Sequence, residues 1–331
     1  MIGSAPLRWQ LRALARVLLL ATCGLALLVT PAGCGGTKTA ALEQVSLQLN
    51  WLHEAEFVGY YVADAKGFFA QQGFEVEIRE GGPGSPARME VLNGAADFAI
   101  SSFAEQKEMT IQGEPVVAVM AVFQIPPLVI FSLADSGIVE PRDLAGKRVG
   151  ITTEYWGNVL RQTLAAAGVD ASTVTEVKVE VGDQEKLYER AVDAWLGYAH
   201  DEPIKAQTAG YPVVNIYPAD YGVGGYEGLL LAHEATARSE PATVERFVRA
   251  CNQGWRYALE NPDEAAEILT RWAPSYGVEF HRLAVRAVIP LVDTPQVPVG
   301  WIADERWRQM MGDDYDESDP GFTMKFSPRT P

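Results

Sequence analysis

Trp51, His53, Glu54 and Glu56 crowd into one seven-residue stretch, Asn50 to Glu56, and Phe57 and Tyr60 follow at once. Indole and phenol faces stack on flat rings, and carboxylates accept paired N–H groups from a heterocycle edge. A site for something flat and aromatic begins here. Tyr198 and Glu202 form a second such pair, with Ala199-His200-Asp201 between them and Pro203 after. A phenol and a carboxylate at that spacing either read a ligand or open a helix, with Asp201 as cap and Glu202 at the positive dipole end. Ser101 and Ser102 end an apolar run and precede Phe103-Ala104-Glu105. Their hydroxyls either cap the next helix or make a polar corner for a ligand. Tyr155 and Trp156 follow Thr152-Thr153 at another strand-to-helix edge.

Catalytic patterns are tested on the same residues. His53, His200, His233 and His281 are scattered, with no HExxH spacing and no CxxC neighbour, so no metal site is expected. A GxSxG elbow is absent, and Cys251 lacks a glycine-framed context. Gly222-Val223-Gly224-Gly225 precedes an apolar strand, whereas a dinucleotide loop must follow one and open a helix, so a hinge is the reading there. Glu54, Glu56, Glu105, Asp201 and Glu202 offer acid/base pairs, but their separations are not legible in sequence. No cofactor is expected.

The elements that must position these groups alternate. Val45, Leu47 and Leu49 alternate with polar residues as a half-buried strand does, and Phe74, Val76 and Ile78 repeat the pattern. Phe57, Tyr61 and Ala65 between them keep helical spacing, and Gly67 ends that helix. A strand–helix–strand unit makes a parallel pair, and open α/β sheets bind ligands beyond the carboxyl ends of their strands. Further strands are expected over Val116–Val122, Leu128–Leu133, Val177–Val181, Asp193–Tyr198 and Val213–Tyr217. Helices are expected over Pro241–Glu260, Pro262–Trp272 and His281–Val288. The fold class is α/β.

Arg8, Arg12 and Arg16 precede an apolar run, Val17 to Val29, too short to span a bilayer of roughly 20 residues' helix. Residues 1–33 read as a signal peptide. Ala32-Gly33-Cys34 resembles a bacterial lipobox with Pro31 where leucine is usual, so Cys34 is the expected lipidation site and 34–42 an anchor linker. The formal charge of −16 becomes −19 without the leader's three arginines. That surface repels nucleic acid and anionic headgroups.

Asn50-Trp51, Phe57, Gly59-Tyr60-Tyr61, Ala63, Lys66-Gly67-Phe68-Phe69, Gly73 and Val76-Glu77 together resemble the opening of ABC-importer substrate-binding proteins. These are the relatives of thiamine-pyrimidine synthesis and uptake proteins, a group that includes riboflavin-binding importer subunits. Asp143-Leu144-Ala145-Gly146-Lys147-Arg148-Val149-Gly150-Ile151 is similar to the entry into their second lobe, and Tyr198 and Glu202 match cleft positions. The resemblance spans Val45 to about Trp272. It implies a bilobal type II periplasmic-binding-protein fold, with ligand held between two α/β lobes. The expected boundaries are 43–133 for the first part of lobe 1, 134–226 for lobe 2, 227–312 for the return to lobe 1, and 313–331 for a loosely held tail. Trp51, Phe57 and Tyr60 are expected on one wall, with Tyr155, Trp156 and Tyr198 on the other. Ser101, Ser102 and Glu202 would supply hydrogen bonds. Pyrimidine binders of the group often carry a histidine near position 57; Phe57 makes a more apolar slot, which favours riboflavin over a formylaminopyrimidine-type thiamine precursor. Permease and ATPase subunits are the implied partners. Some relatives are synthases that spend a histidine beside an iron site; the fungal type carries a cysteine-rich metal motif, which is missing here, so an enzyme is not expected.

Overall fold

The computed structural model describes residues 41–82, 84, 86–294 and 297–327. Residues 1–33, read as a signal peptide, and Cys34 therefore lie outside the described residues.

Among the described residues, ten strands form two five-stranded sheets. The first contains β1 (Glu43–Gln48), β2 (Phe74–Arg79), β3 (Phe98–Ser101), β4 (Val116–Phe123) and β10 (Glu227–His233), in the order β2-β1-β3-β10-β4. The second contains β5 (Leu128–Leu133), β6 (Arg148–Ile151), β7 (Thr175–Lys178), β8 (Ala194–Tyr198) and β9 (Val213–Ile216), in the order β7-β6-β8-β5-β9. In each sheet four strands run one way and one runs against them: β10 between β3 and β4, and β5 between β8 and β9. The chain passes between sheets twice, at 124–127 and at 222–226.

Three expectations need correcting. β5 pairs with β8 and β9, so the first crossing falls before Leu128 and residues 128–133 belong to the second lobe, not the first. β1 is not half-exposed: Ser46 and Gln48 are as buried as Val45 and Leu47, because parallel strands flank it and helices cover both faces. Its polar side chains are satisfied locally. Ser46 Oγ donates to Asp97 at 2.9 Å, and Gln48 Nε2 donates to the Leu49 and Glu80 carbonyls at 3.1 and 3.0 Å. The C-terminal segment is held, not loose. Ala118 N donates to Gly321 O at 3.0 Å, Thr323 N to Ala118 O at 2.8 Å, and Trp307 Nε1 to Pro320 O at 2.7 Å, while Phe326 is buried.

The crossing segments touch each other. Gly224 has φ +111°, and a Cβ there would come within 2.7 Å of the Pro126 ring. Only glycine suits both that backbone and that approach. Helix Val58–Ala65, after the first loop, packs against the long helix Pro241–Glu260 of the returning chain. Proline at the first position of Pro241–Glu260 and of Pro262–Trp272 fixes both starts where the sequence places them.

Candidate functional site

The loop after β1 is pinned before it reaches solvent. Leu49 N donates to Arg79 O at 2.9 Å, Gly81 N to Trp51 O at 2.9 Å, and His53 N to Glu80 Oε1 at 3.0 Å. His53 Nδ1 meets the Tyr61 hydroxyl at 2.9 Å. This places Trp51, His53, Glu54 and Glu56 at the carboxyl edge of the first sheet, facing the second lobe.

Between the lobes lies a cavity of about 540 Å³. Trp51, His53, Glu54 and Glu56 line it from lobe 1; Trp156, Tyr198, His200 and Glu202 line it from lobe 2. The Trp156 and Tyr198 rings meet edge to face at 5.2 Å. Glu202 folds back over the end of β8, and its Oε2 accepts from Tyr198 N at 2.8 Å. Glycine at 197 makes this possible, since a Cβ there would strike the Glu202 carboxylate. Burial, then the Asp201 charge, pushes the Glu202 carboxyl up to about 8, although the Tyr198 amide pulls the other way. Asp201 itself pairs with Lys205 at 2.7 Å.

The nine expected site residues separate into two groups. Trp51, Trp156, Tyr198 and Glu202 line the cavity. Phe57 and Tyr60 are fully buried in the lobe 1 core, where Tyr60 packs edge to face on Trp255 at 5.9 Å. As the chain turns into helix Val58–Ala65, helical spacing directs these two rings inward, so placing them on the cleft wall is corrected. Ser101, also fully buried, donates to Glu105 Oε2 at 2.6 Å, and Ser102 caps helix Phe103–Ile111 by accepting from Glu105 N at 3.2 Å. Ser102 thus caps the helix and Ser101 holds the Glu105 carboxylate, and neither lines the cavity. Tyr155 is set apart from the lining as well; its hydroxyl donates to Glu227 Oε1 at 3.3 Å, reaching from lobe 2 to the start of β10. Burial first pushes the Glu227 carboxyl up to about 8, with Glu105 adding to the effect.

A third wall was not anticipated. Trp272, Tyr276 and Phe280 line the cavity from the break between helices Pro262–Trp272 and Val278–Val292. Trp272 stacks on Tyr61 at 4.8 Å and Tyr276 on Phe280 at 4.3 Å. The available signal is Ala273-Pro274-Ser275-Tyr276, a helix-breaking run flanked by aromatics.

Glu54, Glu56 and His200, distant in sequence, present ligand-type atoms that all lie within 4.8 Å of one another. Burial raises the Glu54 carboxyl, which His200 draws partly back down. Burial and the neighbouring Glu54 and Glu227 charges hold the Glu56 carboxyl well above its ordinary value. The described residues include one cysteine, Cys251, which is buried, so no thiolate set accompanies these groups.

Residues 54–265 match a family profile described as NMT1/THI5 like. The chain belongs to the NMT1/THI5-like family. Within it, similar proteins carry both binding and synthetic names. The riboflavin-binding protein RibY of Chloroflexus aurantiacus is 29% identical over 88% of this chain and 87% of its own length. The 4-amino-5-hydroxymethyl-2-methylpyrimidine phosphate synthase of Legionella pneumophila is 22% identical over 87% of this chain and 93% of its own. The formylaminopyrimidine-binding protein of Halalkalibacterium halodurans is 29% identical over 82% of this chain and 84% of its own. Among solved structures, the periplasmic aliphatic sulphonate-binding protein SsuA of Escherichia coli superposes with a TM-score of 0.66 at 15% identity, covering 81% of this chain and 90% of that one. The fold is the bilobal type II fold of periplasmic binding proteins.

Proposed function

We propose that this chain is the exported, lipid-anchored binding component of an ABC importer and that it captures riboflavin in the cleft between its lobes. The cavity carries the reading. A single six-membered ring fills a site of roughly 150 Å³, and about 540 Å³ flanked by Trp51, Trp156 and Tyr198 suits a three-ring system with a polar side chain. Stacked rings supply affinity, and Glu202 supplies a hydrogen bond at the ring edge. The name of the Chloroflexus relative supports the same ligand class. Delivery to permease and ATPase subunits follows from membership of this class, with Cys34 as the acylated anchor.

One observation favours a second ligand. A carboxyl that keeps its proton near neutral pH, as Glu202 does, donates to a ring nitrogen and accepts from an adjacent amino group, the edge an aminopyrimidine presents. A formylaminopyrimidine thiamine precursor is therefore the alternative. Calorimetric titration of the mature protein with each compound tests both: micromolar or tighter binding of riboflavin with at least tenfold weaker pyrimidine binding supports the proposal, and the reverse order replaces it. Turnover of either compound by the purified protein would replace the binding role with an enzymatic one.

A further inference from the structure

His200 is an anomaly in the cleft floor. Its ring is 1% exposed, yet neither imidazole nitrogen has a hydrogen-bond partner. Buried polar atoms are nearly always satisfied, so an orphaned imidazole asks for a ligand. The ring is not adrift: Phe123 lies nearly parallel to it at 6.4 Å, and Ala199 N donates to Pro127 O at 2.8 Å, fixing the backbone beside it. Its Nε2 points at the Glu54 carboxylate from 3.6 Å, too far for a hydrogen bond. Glu56, 5% exposed, completes the triangle.

We propose that Glu54, Glu56 and His200 form a binding site for one divalent transition-metal ion of the zinc–cobalt class. Two carboxylate oxygens and an imidazole nitrogen select such an ion over calcium or magnesium, which favour all-oxygen sets. Ligand bonds of about 2.1 Å in a tetrahedron put donor atoms about 3.4 Å apart, and the 3.6 Å between Glu54 and His200 already approaches this. A buried carboxylate, Glu56, beside a half-buried one, Glu54, needs a compensating positive charge, and the ion supplies it. The fourth position opens onto the cavity, where water or a ligand oxygen completes the set. Because the glutamates belong to lobe 1 and His200 to lobe 2, the ion also ties the lobes together.

The three ligands line the same cavity but need no vitamin to hold an ion, so the metal alone is the probe. The tag-free, full mature chain is stripped with chelator and titrated with Co²⁺, read by its visible ligand-field absorption, and with Zn²⁺ by calorimetry. One ion per chain at micromolar affinity is expected, with the intense tetrahedral Co²⁺ spectrum. His200→Gln and Glu56→Gln should each weaken binding at least tenfold, while His233→Gln, at the end of β10 away from the cleft, leaves it unchanged. Far-UV circular dichroism establishes that each variant is folded. Millimolar or non-stoichiometric binding, or binding that survives both cleft substitutions in folded protein, overturns the site and leaves the two carboxyls neutralised by protons.

Discussion

Glu202→Gln isolates the carboxyl on which the cleft's electrostatics turn. The wild-type group goes from an ordinary value of 4.5 to about 8 on folding, chiefly through burial. A carboxyl raised in this way binds its proton more tightly in the folded chain than in the unfolded one. Its contribution is therefore most favourable below pH 4.5 and is lost as pH rises towards 8. Each pH unit inside that window is worth up to about 1.4 kcal/mol. Between about pH 5.5 and 7.5 the limit is about 2.7 kcal/mol, and relaxation around Asp201 and Lys205 reduces it to about 1–2 kcal/mol. At roughly 2–4 °C per kcal/mol for a chain of this size, the wild type should lose about 2–8 °C of Tm that the variant keeps. Glutamine retains an oxygen for Tyr198 N, so the 2.8 Å hydrogen bond persists and the comparison is not confounded by a lost contact. Scanning calorimetry of both proteins at the two pH values is the assay. Glu54, Glu56 and Glu227 titrate in both, so only the difference in slope counts. Equal pH slopes in wild type and Glu202→Gln would refute a proton held by Glu202 at neutral pH.

Other perturbations separate core from cleft. Phe57→Ala should cost about 3–5 kcal/mol in a denaturant melt, as a fully buried phenylalanine does, with ligand affinity in the remaining folded protein within about twofold; a large affinity loss at unchanged stability would return Phe57 to the wall. Gly224→Ala should cost about 1–3 kcal/mol from its φ of +111° and the approach to Pro126. Since the strain falls where the crossing segments meet, stopped-flow ligand association should slow as well, and unchanged stability would contradict the packing described.

The parallel pairing of β1 with β2 was readable because the two strands and their connecting helix follow local rules, and the helices starting at Pro241 and Pro262 carry their own start signals. Contacts made at long range were not. Nothing near Leu128 tells that β5 pairs with β8 and β9, about 65 to 85 residues on. The short polar tail looked unanchored because its partner is the edge strand β4, and its backbone bonds to Ala118 have no local signature. Trp51 was legible as a cleft residue from its place just past a parallel strand. Phe57 and Tyr60, on the adjoining helix, obey a period that turns them into the core. His200 was visible only as a lone histidine; meeting Glu54 and Glu56 requires both lobes in place. Likewise Trp272 and Tyr276 look like helix-end aromatics until the returning chain sets them over the cleft.

Flavin emission is the direct test of the central claim, because stacking on tryptophan or tyrosine quenches it. Riboflavin titrated with the mature protein should lose emission to a saturating limit at one site per chain, with Trp51→Ala and Tyr198→Ala each weakening the interaction by about tenfold or more. Unquenched emission at micromolar protein would contradict an isoalloxazine held between the two lobes, and the pyrimidine precursor would take its place.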